Sequence, residues 1–497
     1  MKGLDAYRDL EAHFKKLNTL GDALSVLHWD ASVMMPVGGS PARSDQLATL
    51  RGISHELLTD PKIGDLIGAA EDADLDPWQS ANLHEIRRSY LRASAVPQNL
   101  VEALSKATSA CEHSWRTAKQ DADFARVLPL LQDVLNLTLE EGGILGEALN
   151  MPLYDALIDT YEPGASASAI SGIFEDYAAF LPGFLDQVLE KQNREGAKPA
   201  PEGPFAIEKQ EALARHLAET VGFDFSAGRM DVSAHPFSTG YAGDRRITVS
   251  YNADDPILAL MAALHETGHS IYEQNLPAEW SGQPVGQSRG MAIHESQSLL
   301  IEMQACRTPE FVGFLAPLFR KAFGEQDAFR DENLLRLYHW VEPGFIRVMA
   351  DEVTYPAHVI LRFRLEQALL SGDLSLADLP GAWNEGMRGL LGITPPNDRL
   401  GCLQDIHWYA GSFGYFPTYT LGAMTAAQLF AAATKAEPGI LPGLAKGDFS
   451  LLREWLKRNV HGLASSVSSD EIVAHATGRS LDPKAFEGHL KRRYLPN

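Results

Sequence analysis

The stretch Asp254-Asp255-Pro256-Ile257-Leu258-Ala259-Leu260-Met261-Ala262-Ala263-Leu264-His265-Glu266-Thr267-Gly268-His269-Ser270-Ile271-Tyr272-Glu273-Gln274 decides how the rest of the chain is read. Asp255 suits a helix N-cap and Pro256 the first helical position, so a helix is predicted to run on through Ile257 to about Gln274. His265 and His269 stand four residues apart and share one face of that helix, one turn from each other. Two imidazoles so spaced can grip one tetrahedral ion. Glu266 follows the first histidine, where its carboxylate reaches a metal-activated water rather than the metal. With 16 histidines and about half of the 65 acidic residues taken as glutamate, random order gives this H-E-x-x-H pattern about 0.03 times per chain. The segment therefore predicts a zinc-dependent peptidase, with His265 and His269 as ligands and Glu266 as general base.

A catalytic zinc needs a third protein ligand and an open fourth position. The extended metzincin motif requires glycine at position 272 and histidine at 275, where this chain has Tyr272 and Asn275. The third ligand is instead sought on a second helix. Gly290-Met-Ala-Ile-His294-Glu295-Ser296-Gln297-Ser298-Leu-Leu-Ile-Glu302 supplies it. Glu295 is the first candidate, with Glu302 and His294 as alternatives.

Upstream of the motif, residues 229–251 break the helical rhythm. Arg229 to Phe237 and Arg246 to Tyr251 favour β-structure and are separated by a turn containing glycine, tyrosine and aspartate. They predict a small antiparallel ribbon beside the motif helix. Its edge either binds extended peptide by β-augmentation or is a structural hairpin. Further out, segments 78–95, 98–120, 124–149, 167–192 and 206–221 carry apolar residues at helical spacing, with Pro and Gly between them. Residues 193–204 are the clearest loop. The fold class is mainly α, a large helical zincin-type fold with a small β-ribbon or sheet next to the H-E-x-x-H helix. Residues 1–497 are expected to form one large peptidase domain, with an N-terminal helical lobe over about 1–200 and a catalytic lobe over about 201–497.

Composition narrows the function. The formal charge of −22 disfavours nucleic acid and anionic membrane as partners, because phosphate binding needs clustered positive charge. The start of the chain has no apolar core of a secretory signal, and no apolar run reaches the roughly 18 residues of a spanning helix. Three sparse cysteines, at 111, 306 and 402, fit a reducing compartment. A cytoplasmic enzyme is expected.

A series of short elements then carries a family resemblance. Leu27-His28-Trp29-Asp30 and Met35-Pro36-Val37-Gly38-Gly39 form the opening segment. His235-Pro236-Phe237 gives H-P-F, and Asp244-Arg245-Arg246-Ile247-Thr248 gives D-x-R-x-T. The motif helix and His294-Glu295-Ser296 follow. Ile346-Arg347-Val348-Met349-Ala350-Asp351 gives I-R-x-x-A-D, and Gly401-Cys402-Leu403-Gln404-Asp405-Ile406-His407-Trp408 gives G-x-x-Q-D-x-H-W. In this order and over nearly the whole length, the chain resembles the carboxypeptidase Taq family of thermostable metallocarboxypeptidases. The resemblance implies a helical fold with a long substrate groove and a homodimer. It also implies removal of single residues from peptides with a free C-terminus, with broad side-chain tolerance. The implied metal is Zn²⁺, with Co²⁺ as an effective substitute.

The chemistry asks for further groups. An oxyanion donor must face the metal across the cleft. In related helical zinc peptidases a histidine and a tyrosine about a dozen residues later do this, which selects His407 with Tyr419 and leaves Tyr415 as the alternate. A terminal carboxylate calls for an arginine fork. Arg347 is the first candidate, although Asp351 four residues on could simply brace it along a helix. Arg246, with Asp244 nearby, is the second. His235 is read as a groove-shaping or substrate-contacting residue whose alternative is purely structural. Gln404 and Asp405 are candidates for orienting His407 or a zinc-ligating histidine. Two other functions compete: a zinc oligopeptidase or dipeptidase that cuts short peptides internally, and a non-catalytic peptide-binding protein with a structural zinc.

Overall fold

The structure, a computed structural model, describes residues 2–496. It is mainly helical, as the periodicity implies, and the predicted helices are present at Pro77–Ala95, Gln98–Asp121, Phe124–Leu149, Ala167–Glu195 and Ile207–Val221. No helix among the described residues is long and apolar enough to cross a membrane. The three cysteines are free and buried.

Two large apolar cores meet along one helix, Pro417–Ala436. Leu421, Met424 and Ala427 turn to the first core, while Ala423, Ala426, Leu429 and Ala433 turn to the second. An apolar helix buried on both faces is what a sequence hydrophobic all round predicts. The first core joins Phe124, Leu131, Phe174 and Leu181 to Phe363, Trp383 and Leu490. It therefore draws on residues from both sides of position 200. A separate small core, built on Tyr7, Leu10, Phe14, Ile63, Ile67 and Ile86, holds the first helices together. Its junction with the rest combines polar and aromatic contacts. Asn82 donates to Gln283 (3.1 Å), Arg289 pairs with Glu85 (2.6 Å), and Trp78 stacks on Trp280.

The sheet corrects the ribbon expected from the sequence. It has three strands in the order β1 (Gly228–Val232), β3 (Asp244–Val249), β2 (Phe237–Tyr241). β1 runs parallel to β3, Gly228 opposite Arg245 and Val232 opposite Val249. β2 is the antiparallel partner, with Phe237 opposite Thr248. The two arms read as a hairpin are thus parallel neighbours, and the segment read as the turn supplies the third strand. Ile247, Thr248 and Val249 are buried in the centre, leaving β1 and β2 as edges. Ser238 on β2 hydrogen-bonds Ser270 of the motif helix (2.9 Å), which anchors the sheet beside it.

Candidate metal centre

The motif helix spans Pro256–Gln274. Asp255 Oδ1 caps it, accepting from the backbone N–H of Ile257 (3.0 Å) and Leu258 (3.2 Å). His265 and His269 lie on one face with ring centroids 4.9 Å apart. A second helix, Met291–Leu299, crosses behind them and carries Glu295. The crossing is close because Gly268 has no side chain: a Cβ there would lie 2.5 Å from the Gln297 carbonyl oxygen. On its other side the second helix packs on Gly422 of Pro417–Ala436, where a Cβ would meet Glu295 Cβ at 2.8 Å.

These approaches bring three ligand atoms together. Glu295 Oε2 is 3.4 Å from His269 Nε2 and 3.7 Å from His265 Nε2. One ligand atom from each of the three residues lies within 4.8 Å of the others. Four donors about 2.0–2.1 Å from a tetrahedral ion are roughly 3.3 Å apart, so this triad is sized for such an ion. The tautomers agree. His265 Nδ1 hydrogen-bonds Glu302 Oε2 (3.1 Å), and His269 Nδ1 hydrogen-bonds the His294 carbonyl oxygen (3.1 Å). Both partners only accept, so each Nδ1 carries a proton and each Nε2 is the nitrogen left to take a metal. Ser298 Oγ donates to Glu295 Oε2 (3.2 Å). Among the described residues this is the only group of His, Cys, Asp or Glu side chains so gathered.

The two alternative third ligands have other partners. Glu302 stands behind His265 on its Nδ1 side and is itself held by Arg307. The His294 ring turns to Glu273 (3.0 Å), which Arg245 also binds (2.7 Å).

Glu266 is buried, with 7% of its surface exposed. Burial pushes its carboxyl up to about 7, against the pull of His265. A carboxylate near neutrality can both take and return a proton at physiological pH.

Across from the triad stands an aromatic wall. His407 Nε2 and Tyr419 Oη are 3.2 Å apart, and Tyr415 packs against both rings. Burial, followed by the neighbouring Arg347, lowers His407 to about 4, so the ring is neutral. Burial also raises the Tyr419 phenol, Arg347 opposing it. The Glu295 charge acts on Tyr415, Tyr419 and Tyr355, which places all three tyrosines within its field. Tyr355 was not among the residues expected from the sequence. It opens the helix Tyr355–Ser371 four residues after Asp351, and only this neighbourhood of the I-R-x-x-A-D element signals it.

The arginines depart from their expected surroundings. Arg347 sits in a short 3₁₀ turn, Arg347–Met349, not on a helix that Asp351 could brace. Asp351 instead accepts from the backbone N–H of Glu342, Val353 and Thr354. The partner of Arg347 is Asp405, reached by Nε (3.2 Å) and Nη2 (2.9 Å). Asp405 also accepts from Arg362 Nε (2.8 Å). The Arg347 guanidinium lies 4.5 Å over the Tyr419 ring, and the Tyr355 hydroxyl is a further hydrogen-bond partner of its side chain. Asp405 and Gln404 therefore hold the arginines and the turn that carries Arg347, rather than orienting a histidine; Gln404 Oε1 accepts the Arg347 backbone N–H (2.9 Å). Arg246 is gripped by Asp244 through two bonds (2.9 and 2.6 Å) and stacks 4.2 Å from Trp29. Its contacts run to the N-terminal helix, not to the tyrosine wall. His235 is exposed ahead of β2, and its carbonyl accepts from Ser233.

Comparison with known proteins agrees with this picture. The family described as Carboxypeptidase Taq (M32) metallopeptidase matches residues 9–494. Thermostable carboxypeptidase 1 of Thermus thermophilus is 37% identical, over 98% of both chains. The solved structure titled Trypanosoma Cruzi Metallocarboxypeptidase 1 superposes with a TM-score of 0.97 at 40% identity, over 99% of both chains. A Pyrococcus furiosus carboxypeptidase structure gives 0.95 at 33% identity, again over 99% of each. Motif order, helical architecture and these full-length matches converge: the chain belongs to the carboxypeptidase Taq family of metallopeptidases and is a metallocarboxypeptidase.

Proposed function

We propose that the enzyme removes single amino acids from the C-termini of peptides, with broad tolerance for the departing side chain, using zinc held by His265, His269 and Glu295. The observation that carries the reading is the pair of Nδ1 anchors, which turns both Nε2 atoms to the Glu295 carboxylate. That donor set suits zinc, and Co²⁺ is proposed to substitute. Held by these three residues, zinc would supply Lewis acidity toward the attacking water and the scissile carbonyl.

The protein's residues do the rest. Glu266 takes the proton of the attacking water and hands it to the leaving amine. Tyr419, paired with neutral His407, donates to the developing oxyanion, with Tyr415 as its alternate. Arg347 takes the substrate's terminal carboxylate, with the Tyr355 hydroxyl beside it, while Asp405 holds one side of its fork. Arg246 and His235 are proposed to shape the groove beside the sheet rather than to touch the reacting bond. A closed structural zinc site needs a fourth protein ligand, and the gathered group has three. On the same footing the chain is proposed to act as one catalytic domain, as a cytoplasmic homodimer. The free cysteines favour that compartment.

Glu266→Gln is expected to retain one zinc per chain by elemental analysis and to lose turnover by about 10³-fold. Near-parental turnover would remove Glu266 as the base. A peptide with a free C-terminus should be cleaved and its amidated twin spared. Equal cleavage of both would favour internal cutting by an oligopeptidase.

A further inference from the structure

Glu302 orients His265, but it does so from an unusual piece of backbone. The second helix does not end at Leu299; it widens into a π-helical turn, Leu300–Ala305. A π turn displaces carbonyls from ordinary helical partners, and such turns need other donors. Here they come from the far end of the chain. Arg493, on the helix Pro483–Tyr494, donates Nη1 to the Met303 carbonyl (2.6 Å) and Nη2 to the Gln304 carbonyl (3.1 Å).

Arg493 is in turn fixed. Its Nη1 pairs with Glu352 (2.8 Å). Glu352 is 2% exposed and also accepts from Gln304 Nε2 (2.7 Å), His489 Nε2 (2.8 Å) and Tyr494 Oη (3.0 Å). Four donors converge on one buried carboxylate, which is an expensive arrangement to form unless every member is satisfied. The network thus clamps Met303 and Gln304 directly after Glu302. A turn further along, Arg307 binds the Glu302 carboxylate, and the Arg307 carbonyl takes His339 Nε2 (2.7 Å). The His339 ring packs against Tyr494, 5.8 Å between centroids. The last helix therefore contacts, through Arg493 and Tyr494, two of the groups that hold the residue that aims His265.

We propose that Arg493 is a positioning residue for the metal: by bridging Glu352 to the π-turn carbonyls it fixes Glu302, and through Glu302 the direction of the His265 lone pair. The inference rests on the reading that His265, His269 and Glu295 hold zinc. Residues that orient a ligand from behind influence affinity by about 10–100-fold, and one step further out the lower end applies.

The test measures zinc affinity of the full-length protein by chelator competition, at a temperature where circular dichroism shows the metal-free protein folded. Arg493→Met should weaken zinc binding about 10-fold and shift the visible absorption of the Co²⁺-loaded protein. Arg493→Lys keeps the charge beside Glu352 but cannot bridge two carbonyls, and should weaken binding about threefold; it serves alone if the methionine variant does not fold. Phe174→Ala, which opens the first core beneath Phe363 away from this network, should lower the melting temperature and leave zinc affinity within twofold of the parent. Parental affinity and an unchanged Co²⁺ spectrum in both Arg493 variants would overturn the proposal. Equal weakening by Phe174→Ala would also overturn it, by showing a general effect of stability. His269→Ala separates the two readings: if it binds zinc as tightly as the parent, the ligand assignment itself fails.

Discussion

Asp405 lies between two guanidinium groups, Arg347 at 2.9 Å and Arg362 at 2.8 Å, with Arg362 completely buried. Burial alone would raise its carboxyl, but the two arginines outweigh this and hold it far below the usual carboxylate range. A carboxylate with a depressed folded pKa stabilises the fold at every pH above its unfolded value, about 4, and loses that contribution as the pH falls toward the folded value. Asp405→Asn leaves Arg362 without its countercharge and should cost about 3–5 kcal/mol at neutral pH. Melting curves taken from pH 7 to pH 2 should show the parent falling steeply below pH about 4. The variant should start lower and fall less, the two converging in acid. Parallel curves would mean that Asp405 contributes nothing through its charge. Neither the pairing nor its strength was legible in the sequence. Asp351 is nearer in number, and only the fold brings position 405 to position 347.

At the scale of elements, the motif helix was legible almost to its ends, because its signals are local: an aspartate cap, a proline at the first position, and apolar residues through to Tyr272. The sheet was not. Parallel strands cannot be joined by a tight turn, so β1 and β3 need an intervening element, and Phe237–Tyr241 supplies it as β2. Its Gly240 and Tyr241 read as part of the turn, and all five positions are half-buried, so no alternation of burial marks them as a strand. The crossing of the two site helices was legible only in part. Gly268 appears in the motif as an unconstrained position, yet its missing side chain is what lets the Gln297 backbone approach. In an exposed helix, glycine to alanine stabilises by about 1 kcal/mol. At Gly268 the sign should reverse. The added methyl meets backbone that cannot rotate away, at a cost of about 1–3 kcal/mol. Gly268→Ala should melt lower than the parent in the metal-free state and bind zinc more weakly; a rise in melting temperature would show that the helices can separate freely.

For the whole molecule, the helical class and the family were both expected from the sequence, the class from periodicity and the family from motifs spread between Leu27 and Trp408. What could not be read was how distant segments share a core. Phe124–Leu149 and Ala167–Glu195 pack with helices more than a hundred residues later, so apolar burial does not follow the chain's order. The groups flanking the candidate centre have the same origin: His407 and Tyr419 from one region, Tyr355 and Arg347 from another, Arg493 from the last helix. Gly268 and Gly422 act together. With no side chain at either, three helices touch around Glu295 and leave its carboxylate almost nowhere else to go. The consequence is selectivity by the number and kind of donors. Calcium takes about six to eight oxygen ligands, and the packed helices bring together only two imidazole nitrogens and one carboxylate. Which cation suits the site is thus tied to how few side chains three closely packed helices can bring to one point.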